Sequence, residues 1–217
     1  MKTTGYIVIL ADGDFPVHPI PLQILHNAKL LAACDGAAKN LLNAAIMPDI
    51  AVGDLDSLDD TSKQALAGKL VHVSEQETND LNKTFRHVLP LIEPGDEIII
   101  LGASGKREDH TIGNISLLAE FYRQFKKIKM VTDFGIFQPF ANEITFDATP
   151  GQEISVLNPN SRPVTVSGSG LKYALDQLAL TSWHMATLNE ASSDRITLRT
   201  GSPDDVLLIY TAYLTIR

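Results

Sequence analysis

The sequence predicts an α/β protein with an N-terminal Rossmann-like parallel sheet flanked by helices and a C-terminal all-β sandwich. Strand-like and helix-like segments alternate through the first part of the chain, a pattern typical of a parallel sheet. After Asp133, short β-rich segments follow one another, separated by turns that contain Pro, Gly and Asn, which is typical of a sandwich. We therefore expect two domains, residues 1–134 and residues 135–217.

The first domain is expected to contain six strands and three helices. The strands cover residues 6–11, 29–34, 50–52, 70–73, 96–101 and 129–132, and the helices cover residues 36–45, 78–88 and 109–125. Residues 29–34 fit a strand or a helix by periodicity alone, and the turn Asp35-Gly36 that follows them favours a strand. Asp35 is placed to cap the first helix. In the second helix, Leu81, Phe85 and Val88 are spaced to bury one face.

The second domain is expected to consist of short strands. The clearest cover residues 143–146, 154–157, 164–166, 195–199 and 206–210. Turn sequences such as Pro150-Gly151 and Gly201-Ser202-Pro203 separate them. Closely spaced short strands of this kind predict a sandwich or a barrel-like sheet.

The composition favours a cytoplasmic enzyme that acts on small molecules. With 18 Lys and Arg against 26 Asp and Glu, the formal net charge is −8, which argues against general nucleic-acid binding. No apolar run is long enough to span a membrane, and the N-terminus lacks the apolar segment of a signal peptide. The single cysteine, Cys34, excludes an intrachain disulfide and a cysteine-based zinc site, and its apolar neighbours favour a buried, unreactive thiol.

Polar clusters follow four of the predicted strands. They are Asp35-Gly36 and residues 53–57, 76–80 and 102–110. Each alone is more often an ordinary surface turn, because turns are rich in Asp, Gly and Ser. Since the carboxyl ends of parallel strands meet at one edge of a sheet, four such clusters favour a ligand site there.

Asp54 and Asp56, in the sequence Gly53-Asp54-Leu55-Asp56-Ser57, form the most informative pair. On an extended segment, two residues separated by one point to the same side, so the two carboxylates can share a hard cation. Magnesium takes one or two carboxylates together with substrate phosphates. The alternative is a helix start capped by Asp56 or Ser57. The motif is weakly specific, because an Asp-x-Asp sequence also occurs in phosphatases and sugar transferases.

The segment Gly102–His110 is suited to binding phosphate. Its small residues let backbone N–H groups approach an anion, and the helix that follows offers its positive end. Lys106 and Arg107 can offset charge on a transferring phosphate, Arg107 with two parallel hydrogen bonds. The alternative is a solvated loop with Asp109 as a helix cap, and His110 by itself is more often structural than catalytic.

Taken together, these motifs resemble those of the thiamine pyrophosphokinase family. The resemblance covers essentially the whole chain, and the motifs stand in the family's order. They are Asp35-Gly36-Ala37-Ala38, Pro48-Asp49, Gly53–Ser57, Gln76–Asp80, Gly102–Asn114 and Gly170–Leu175. No single motif is specific, but the whole set is.

The resemblance implies an enzyme that transfers the pyrophosphoryl group of ATP to the hydroxyl of thiamine, giving thiamine diphosphate and AMP. It also implies a catalytic domain that binds ATP and Mg²⁺, and a homodimer with thiamine bound between subunits. By position in the motifs, the magnesium ligands are Asp54, Asp56 and Asp80, which form the catalytic set with Arg107 and Asp109. The residues on the ATP side are Asp35, Gln76, Thr78, Lys106, His110 and Asn114. We expect Asp80 or Asp109 to accept the proton of the alcohol.

The thiamine side departs from the family in two places. Tyr173 stands where the family usually has Trp, and Thr187-Leu188-Asn189 stands where it has a Thr-Ser-Asn type of segment. Tyr173, Thr187 and Asn189 are the expected thiamine contacts, whereas Leu188 lacks the hydroxyl of the family's serine. The alternative for Tyr173 and Trp183 is core packing in the sandwich.

Two other functions are open from the residues alone. The first is another metal-dependent transferase or hydrolase that uses Asp54 and Asp56, such as a sugar-nucleotide transferase or a phosphatase that forms an aspartyl phosphate. The second is a regulatory protein that binds a nucleotide or thiamine without catalysis, against which the intact acids and Arg107 argue.

Overall fold

The chain folds into two compact units, an α/β unit followed by a β-rich unit. A computed structural model describes residues 5–214. The first unit runs to Leu117 and includes Arg123–Asp133, and the second comprises Leu118–Tyr122 and the chain from Phe134 onward. Within residues 5–214, no helix combines the length and hydrophobicity that a membrane span requires.

The first unit is a parallel sheet whose strands are connected by helices. Its strands are β1 (Tyr6–Leu10), β2 (Ala28–Cys34), β3 (Ile50–Gly53), β4 (Leu70–His72), β5 (Glu97–Leu101) and β6 (Ile128–Val131). Its helices are α1 (Pro19–His26), α2 (Ala37–Asn43), α3 (Asp60–Ala65), α4 (Asp80–Val88), a short 3₁₀ helix (Leu89–Leu91) and α5 (Glu108–Gln124). The strand order is β6-β5-β1-β2-β3-β4, and all neighbouring pairs are parallel.

The core of the first unit surrounds its central strands. Residues 7–10 of β1 and 98–101 of β5 are at most 1% exposed, so both faces of these strands are covered. Strands buried on both faces need a continuous apolar run, which is what their sequences contain. On α4, Leu81, Phe85 and Val88 are buried as their spacing predicts.

All predicted elements of the first half are present, with ends shifted by at most two residues. The sequence does not predict α1 or α3. Helix α1 carries Pro19 and Pro21 in its first turn and is capped by His18, whose Nδ1 accepts a hydrogen bond from Ile20 N. Proline is tolerated in a first helical turn, but it is also common in loops, so the sequence of α1 does not predict a helix.

The prediction that Asp35 caps α2 is wrong. This helix begins at Ala37 with Gly36 as its N-cap, and no side chain caps it. The Asp35 carboxylate instead accepts a hydrogen bond from Ser57 N, at 3.4 Å from Oδ2. The side chain of Asp35 therefore connects the ends of β2 and β3 rather than starting a helix.

The helix cap considered for Asp56 or Ser57 is also absent. The next helix, α3, begins at Asp60 and is capped by Asp59, whose Oδ1 accepts from Ser62 N at 2.8 Å. Asp54 and Asp56 therefore have no capping role.

The second unit consists of two antiparallel sheets. Its strands are β7 (Gly135–Phe140), β8 (Glu143–Asp147), β9 (Glu153–Leu157), β10 (Val164–Ser169), β11 (Leu175–Leu180), β12 (Ala186–Glu190), β13 (Arg195–Thr200) and β14 (Leu207–Ala212). They are ordered β12-β9-β14-β7 and β11-β10-β13-β8. Ile154 and Val156 of one sheet share a single core with Val164 and Val166 of the other. The two sheets therefore pack on each other as layers.

Three strands of this unit escape prediction. Strand β7 contains Pro139, and proline is depleted from strand interiors. Strand β12 has an irregular register between Ala186 and Asn189, which breaks the alternation of side chains. Strand β11 has exposed polar and charged residues on much of its length.

Candidate active site

A cavity of about 440 Å³ lies at the carboxyl ends of the parallel strands of the first unit. Residues at or after the ends of five strands line it: Asp12 and Gly13 after β1, Cys34 of β2, Asp54 after β3, Gln76 and Thr78–Asp80 after β4, and Ala103, Gly105, Lys106 and Arg107 after β5. Strand β1 lies between β2 and β5, where the course of the chain across the sheet reverses. Open α/β sheets bind ligands at such a reversal.

Most of the residues predicted for the catalytic set and for the ATP side meet in this cavity. Those that line it are Asp54, Gln76, Thr78, Asp80, Lys106, Arg107, His110 and Asn114. Asp35, Asp56 and Asp109 are not among its lining residues.

The expected extended geometry between Asp54 and Asp56 is wrong. Strand β3 ends at Gly53, and Leu55 has a φ of 65°, in the left-handed region. A left-handed residue reverses the alternation of side chains that an extended segment would have. Asp54 therefore lines the cavity, whereas Asp56 is exposed and outside its lining.

The Asp54 carboxylate is held by two hydrogen bonds. Gln76 Nε2 donates to its Oδ2 at 3.0 Å, and Asp56 N donates to its Oδ1 at 3.3 Å. These bonds, that of Gln76 above all, lower the pKa of Asp54. Asp54 is therefore ionised at neutral pH, as a ligand for a hard cation must be.

Asp80 is in a less polar setting at the start of α4. Burial raises its pKa, and the charges of Asp35 and Asp54 act in the same direction, although a hydrogen bond from Lys83 opposes them. Lys83 Nζ lies 3.1 Å from Asp80 Oδ1, and its side chain is only 3% exposed. Lys83 is not among the site residues predicted from the sequence, although its spacing of three residues from Asp80 on one helix is a signal for the pair.

Asp12 is a second cavity residue that is not among the predicted site residues. Its Oδ1 accepts hydrogen bonds from Lys106 Nζ and Asn40 Nδ2, each at 2.9 Å. The signal was its position, because Asp12-Gly13-Asp14 follows β1 as the four other clusters follow their strands.

The loops after β1 and β5 are joined by backbone hydrogen bonds. Gly13 N donates to Gly102 O at 2.6 Å, and Asp14 N donates to Ser104 O at 2.8 Å. Gly102 has a φ of 61°, and a Cβ there would lie 2.7 Å from Ala11 O. Glycine is therefore required at position 102 for the loop after β5 to lie this close to the end of β1.

Arg107, which lines the cavity, forms a two-pronged ion pair with Asp109. The distances are 3.1 Å from Arg107 Nε to Asp109 Oδ1 and 2.6 Å from Nη2 to Oδ2. The bond from Arg107 lowers the pKa of Asp109. Because both side chains are more than 60% exposed, the pair contributes little stability, and the guanidinium can exchange its partner for another anion. Helix α5 begins at Glu108, so Asp109 is not its cap.

Asn79 and Asn114 join the third cluster, residues 76–80, to the fourth, residues 102–110. Asn79 caps α4 by accepting from Asn82 N, and its Nδ2 donates to Asn114 Oδ1 at 3.1 Å. Asn114 in turn donates to Ala103 O at 3.0 Å. These bonds hold α4, α5 and the loop after β5 around the cavity.

Cys34 lines the cavity without being reactive. Its thiol is buried, and burial raises the pKa of Cys34 to about 12. A thiolate nucleophile is therefore absent at neutral pH.

The acidic groups of the cavity suit a cation that also binds phosphate. In the described part of the chain, no three His, Cys, Asp or Glu side chains are grouped to hold a metal by themselves. Asp54 and Asp80 are both at the cavity, and Oδ1 of Asp35, which is 3% exposed, has no hydrogen-bond partner among residues 5–214. A buried carboxylate oxygen without a donor indicates a missing cation or water. Oxygen donors of this kind fit Mg²⁺ when phosphate oxygens complete its coordination.

Gly53 controls the position of Asp35, and this yields a first prediction. A Cβ at Gly53 would lie 2.6 Å from Asp35 Cβ and 3.1 Å from Asp35 Cγ, so Gly53→Ala must displace that carboxylate. We expect kcat for the reaction assigned below to fall by at least about tenfold, since small misplacements of site groups cost that much or more.

Gly113→Ala is the matched control for Gly53→Ala. A Cβ at Gly113 meets nothing within 4 Å, and alanine favours the helix α5 in which this residue lies. The control should keep wild-type turnover, measured alongside circular dichroism of both variants. Equal turnover for the two variants would contradict the role given to Asp35.

The residues predicted to contact thiamine lie in the second unit. Tyr173 is 61% exposed, which excludes core packing of its ring. The Thr187 hydroxyl donates to His184 O at 2.9 Å within its own turn. Asn189 is buried and makes three hydrogen bonds to backbone groups. Leu188 is 80% exposed and has a φ of 57°.

Comparison with known proteins gives one result for both units. The family model described as "Thiamin pyrophosphokinase, catalytic domain" matches residues 22–132, and "Thiamin pyrophosphokinase, substrate-binding domain" matches residues 135–210. A thiamine pyrophosphokinase of Bacillus subtilis is 27% identical over 185 residues, which cover 83% of this chain and 85% of the relative. Thiamin pyrophosphokinase 1 of Caenorhabditis elegans is 25% identical over 193 residues, covering 83% and 79%.

Solved structures have the same fold. The crystal structure of thiamine pyrophosphokinase from Bacillus subtilis aligns with a TM-score of 0.79 at 24% identity, covering 97% of this chain and all of the other. Thiamin pyrophosphokinase from Candida albicans aligns with a TM-score of 0.80 at 15% identity, covering 97% and 93%.

Proposed function

The chain belongs to the thiamin pyrophosphokinase family, and from this premise we propose that its cavity holds the phosphates of ATP beside Asp54 and Asp80. The protein is an ATP-dependent diphosphotransferase. It transfers the pyrophosphoryl group of ATP to the hydroxyl of thiamine, giving thiamine diphosphate and AMP. One observation carries the site assignment: carboxylates and cations from the ends of several parallel strands line a single cavity.

The two units take different parts of the reaction in this proposal. Residues 1–134 form a Rossmann-like domain that binds ATP and Mg²⁺, and residues 135–217 form a sandwich domain for thiamine binding and dimerisation. The enzyme is proposed to act as a cytoplasmic homodimer. The two family models support the division, since they meet between residues 132 and 135.

Asp54 and Asp80, which both line the cavity, are the proposed ligands of Mg²⁺. The lowered pKa of Asp54 and its position in the cavity support its part most directly. Asp56 follows it after the left-handed Leu55, and its backbone N–H fixes the Asp54 carboxylate. When bound, Mg²⁺ neutralises phosphate charge and aligns the phosphates for attack by the alcohol. Asp35 lies outside the cavity lining, and its Oδ1, which has no hydrogen-bond partner among residues 5–214, is the further carboxylate oxygen proposed near the cation.

Lys106 and Arg107 are proposed to stabilise the charge that develops on the transferred group. Arg107 presents a planar fork that matches two phosphate oxygens, and it leaves Asp109 to do so. Lys106, whose ammonium group is paired with Asp12, adds a second positive charge for the phosphate. Gln76, Thr78, His110 and Asn114 supply the polar groups that orient ATP.

Asp80 is the better placed of the two candidate proton acceptors. It lines the cavity in which the phosphates of ATP are proposed to lie. Asp109 is held by Arg107, has a lowered pKa and is outside the cavity lining.

Product analysis tests the function directly. Incubation of the full chain with ATP, Mg²⁺ and thiamine should release AMP and thiamine diphosphate in equal amounts, resolved by ion-exchange chromatography. Reactions without thiamine should release no AMP. Formation of ADP with thiamine monophosphate, or a trapped aspartyl phosphate, would show a different phosphoryl-transfer enzyme.

A further inference from the structure

We propose that Asn189 is a positioning residue for Tyr173 rather than a direct ligand of thiamine. Its buried amide holds the backbone of Tyr173, and with it the point from which the phenol ring projects at the surface. This inference rests on the proposed function, in which Tyr173 contacts thiamine.

The amide of Asn189 is committed to the protein backbone. Its Oδ1 accepts from Tyr173 N at 3.0 Å and from Glu190 N at 2.8 Å, and its Nδ2 donates to Tyr173 O at 2.8 Å. A carboxamide oxygen has two lone pairs, and both are used here. With 4% of its surface exposed, Asn189 has one remaining N–H and little access to a ligand.

Tyr173 needs this support because it lies between strands. It follows the bridge between Leu171 and Ala191 and precedes β11, which starts at Leu175. The side chain of Asn189 satisfies both backbone groups of Tyr173, as a neighbouring strand would. Both backbone groups of Tyr173 are thus hydrogen-bonded as they would be in a sheet, although Tyr173 belongs to no strand.

A second set of contacts braces the same turn. Lys172 N donates to Glu190 O at 2.8 Å, and Lys172 Nζ lies 2.9 Å from Glu190 Oε2. Lys172 Nζ is also 5.8 Å from the centroid of the Tyr173 ring. Residues 172 and 173 are therefore both bound to residues 189 and 190 of β12.

The exposure of the ring indicates that this support serves recognition. A ring that is 61% exposed adds little to the core, whereas Leu171 and Leu175 on either side are buried and anchor the connection. Fixing the backbone that carries an exposed aromatic side chain lowers the entropy that this segment loses on contact with a ligand. Asn189 should therefore affect the binding of the acceptor more than the folding of the unit.

The test is a mutant cycle in the full-length protein, with Asn189→Asp, Tyr173→Ala and the double variant. Aspartate has the shape of asparagine and keeps the acceptors, but it places an oxygen against Tyr173 O. We expect KM for thiamine to rise by about tenfold in Asn189→Asp, the effect of one lost hydrogen bond to a buried group, with kcat and KM for ATP within about twofold. In the Tyr173→Ala background, Asn189→Asp should raise KM for thiamine no further.

Asn158→Asp is the matched control. Asn158 is 2% exposed and also bonds to backbone groups, donating to Arg162 O and Leu180 O and accepting from Asn160 N. The Asn158→Asp variant should lower the melting temperature, as Asn189→Asp does, but it should leave KM for thiamine unchanged. A parallel rise of KM in Asn158→Asp would reduce the effect to general destabilisation and overturn the inference.

Two further outcomes also overturn it. The first is an unchanged KM for thiamine in Asn189→Asp. The second is an equal rise of KM with and without Tyr173, which would make Asn189 a direct ligand. In both cases the wild-type protein still forms AMP and thiamine diphosphate. Absence of that wild-type reaction would instead refute the proposed function, and this inference with it.

Discussion

Asp54→Asn is expected to lower kcat by roughly a thousandfold, the scale seen when a charge-stabilising group is removed from an active site. The substitution keeps the shape of the side chain and one of the two oxygens that accept from Gln76 and Asp56, but it removes the charge that a hard cation requires. ATP should still bind, because Lys106, Arg107 and the loop after β5 are unchanged. The Mg²⁺ concentration needed for half-maximal rate should therefore rise more than KM for ATP.

The measurement is steady-state AMP release at a series of Mg²⁺ concentrations. Asp176→Asn provides the control, since Asp176 is an exposed residue of β11 in the other unit and undergoes the same change of charge. A kcat within threefold of wild type for Asp54→Asn would remove Asp54 from the metal site.

Arg107→Ala is expected to lower kcat by about a hundredfold or more, because a guanidinium fork that binds the transferred phosphate acts mainly in the transition state. Arg107→Lys should recover only part of this loss, since an ammonium group has the charge without the two parallel donors. The melting temperature should hardly change, because the Arg107–Asp109 pair is exposed.

Arg199→Ala is the control for Arg107. Arg199 is also exposed and paired with a carboxylate, that of Glu143, but it lies in the second unit. It should keep wild-type kcat in the same assay. If Arg107→Ala changed KM for ATP with kcat intact, Arg107 would bind the ground state and the transition state equally.

The fold of the first unit is largely predictable because its strands are apolar on both faces and its turns are polar. What escapes prediction depends on local geometry. The left-handed conformation of Leu55 separates Asp54 from Asp56, and no residue type announces it, since leucine rarely adopts this conformation. Pro19 and Pro21 conceal α1 for a related reason, because proline marks both a loop and a first helical turn.

The candidate site was predictable as a set of strand ends and less so as individual partners. Asp35, Asp54 and Asp80 follow three different strands, β2, β3 and β4. The parallel arrangement of these strands places the three residues at the same edge of the sheet. Asp12 follows the same logic and was missed because Asp12-Gly13-Asp14 reads as a common turn. The pairing of Asp12 with Lys106 spans 94 residues, so only the assembled sheet reveals it.

The backbone hydrogen bonds between the loops after β1 and β5 order the loop after β5 before a nucleotide binds. A glycine-rich loop left to itself would lose its conformational freedom each time a nucleotide binds. Here Gly13 and Asp14 already hold Gly102 and Ser104. The conformational entropy of this loop is lost once, when the polypeptide folds. Each catalytic cycle then begins with the loop already in its binding conformation.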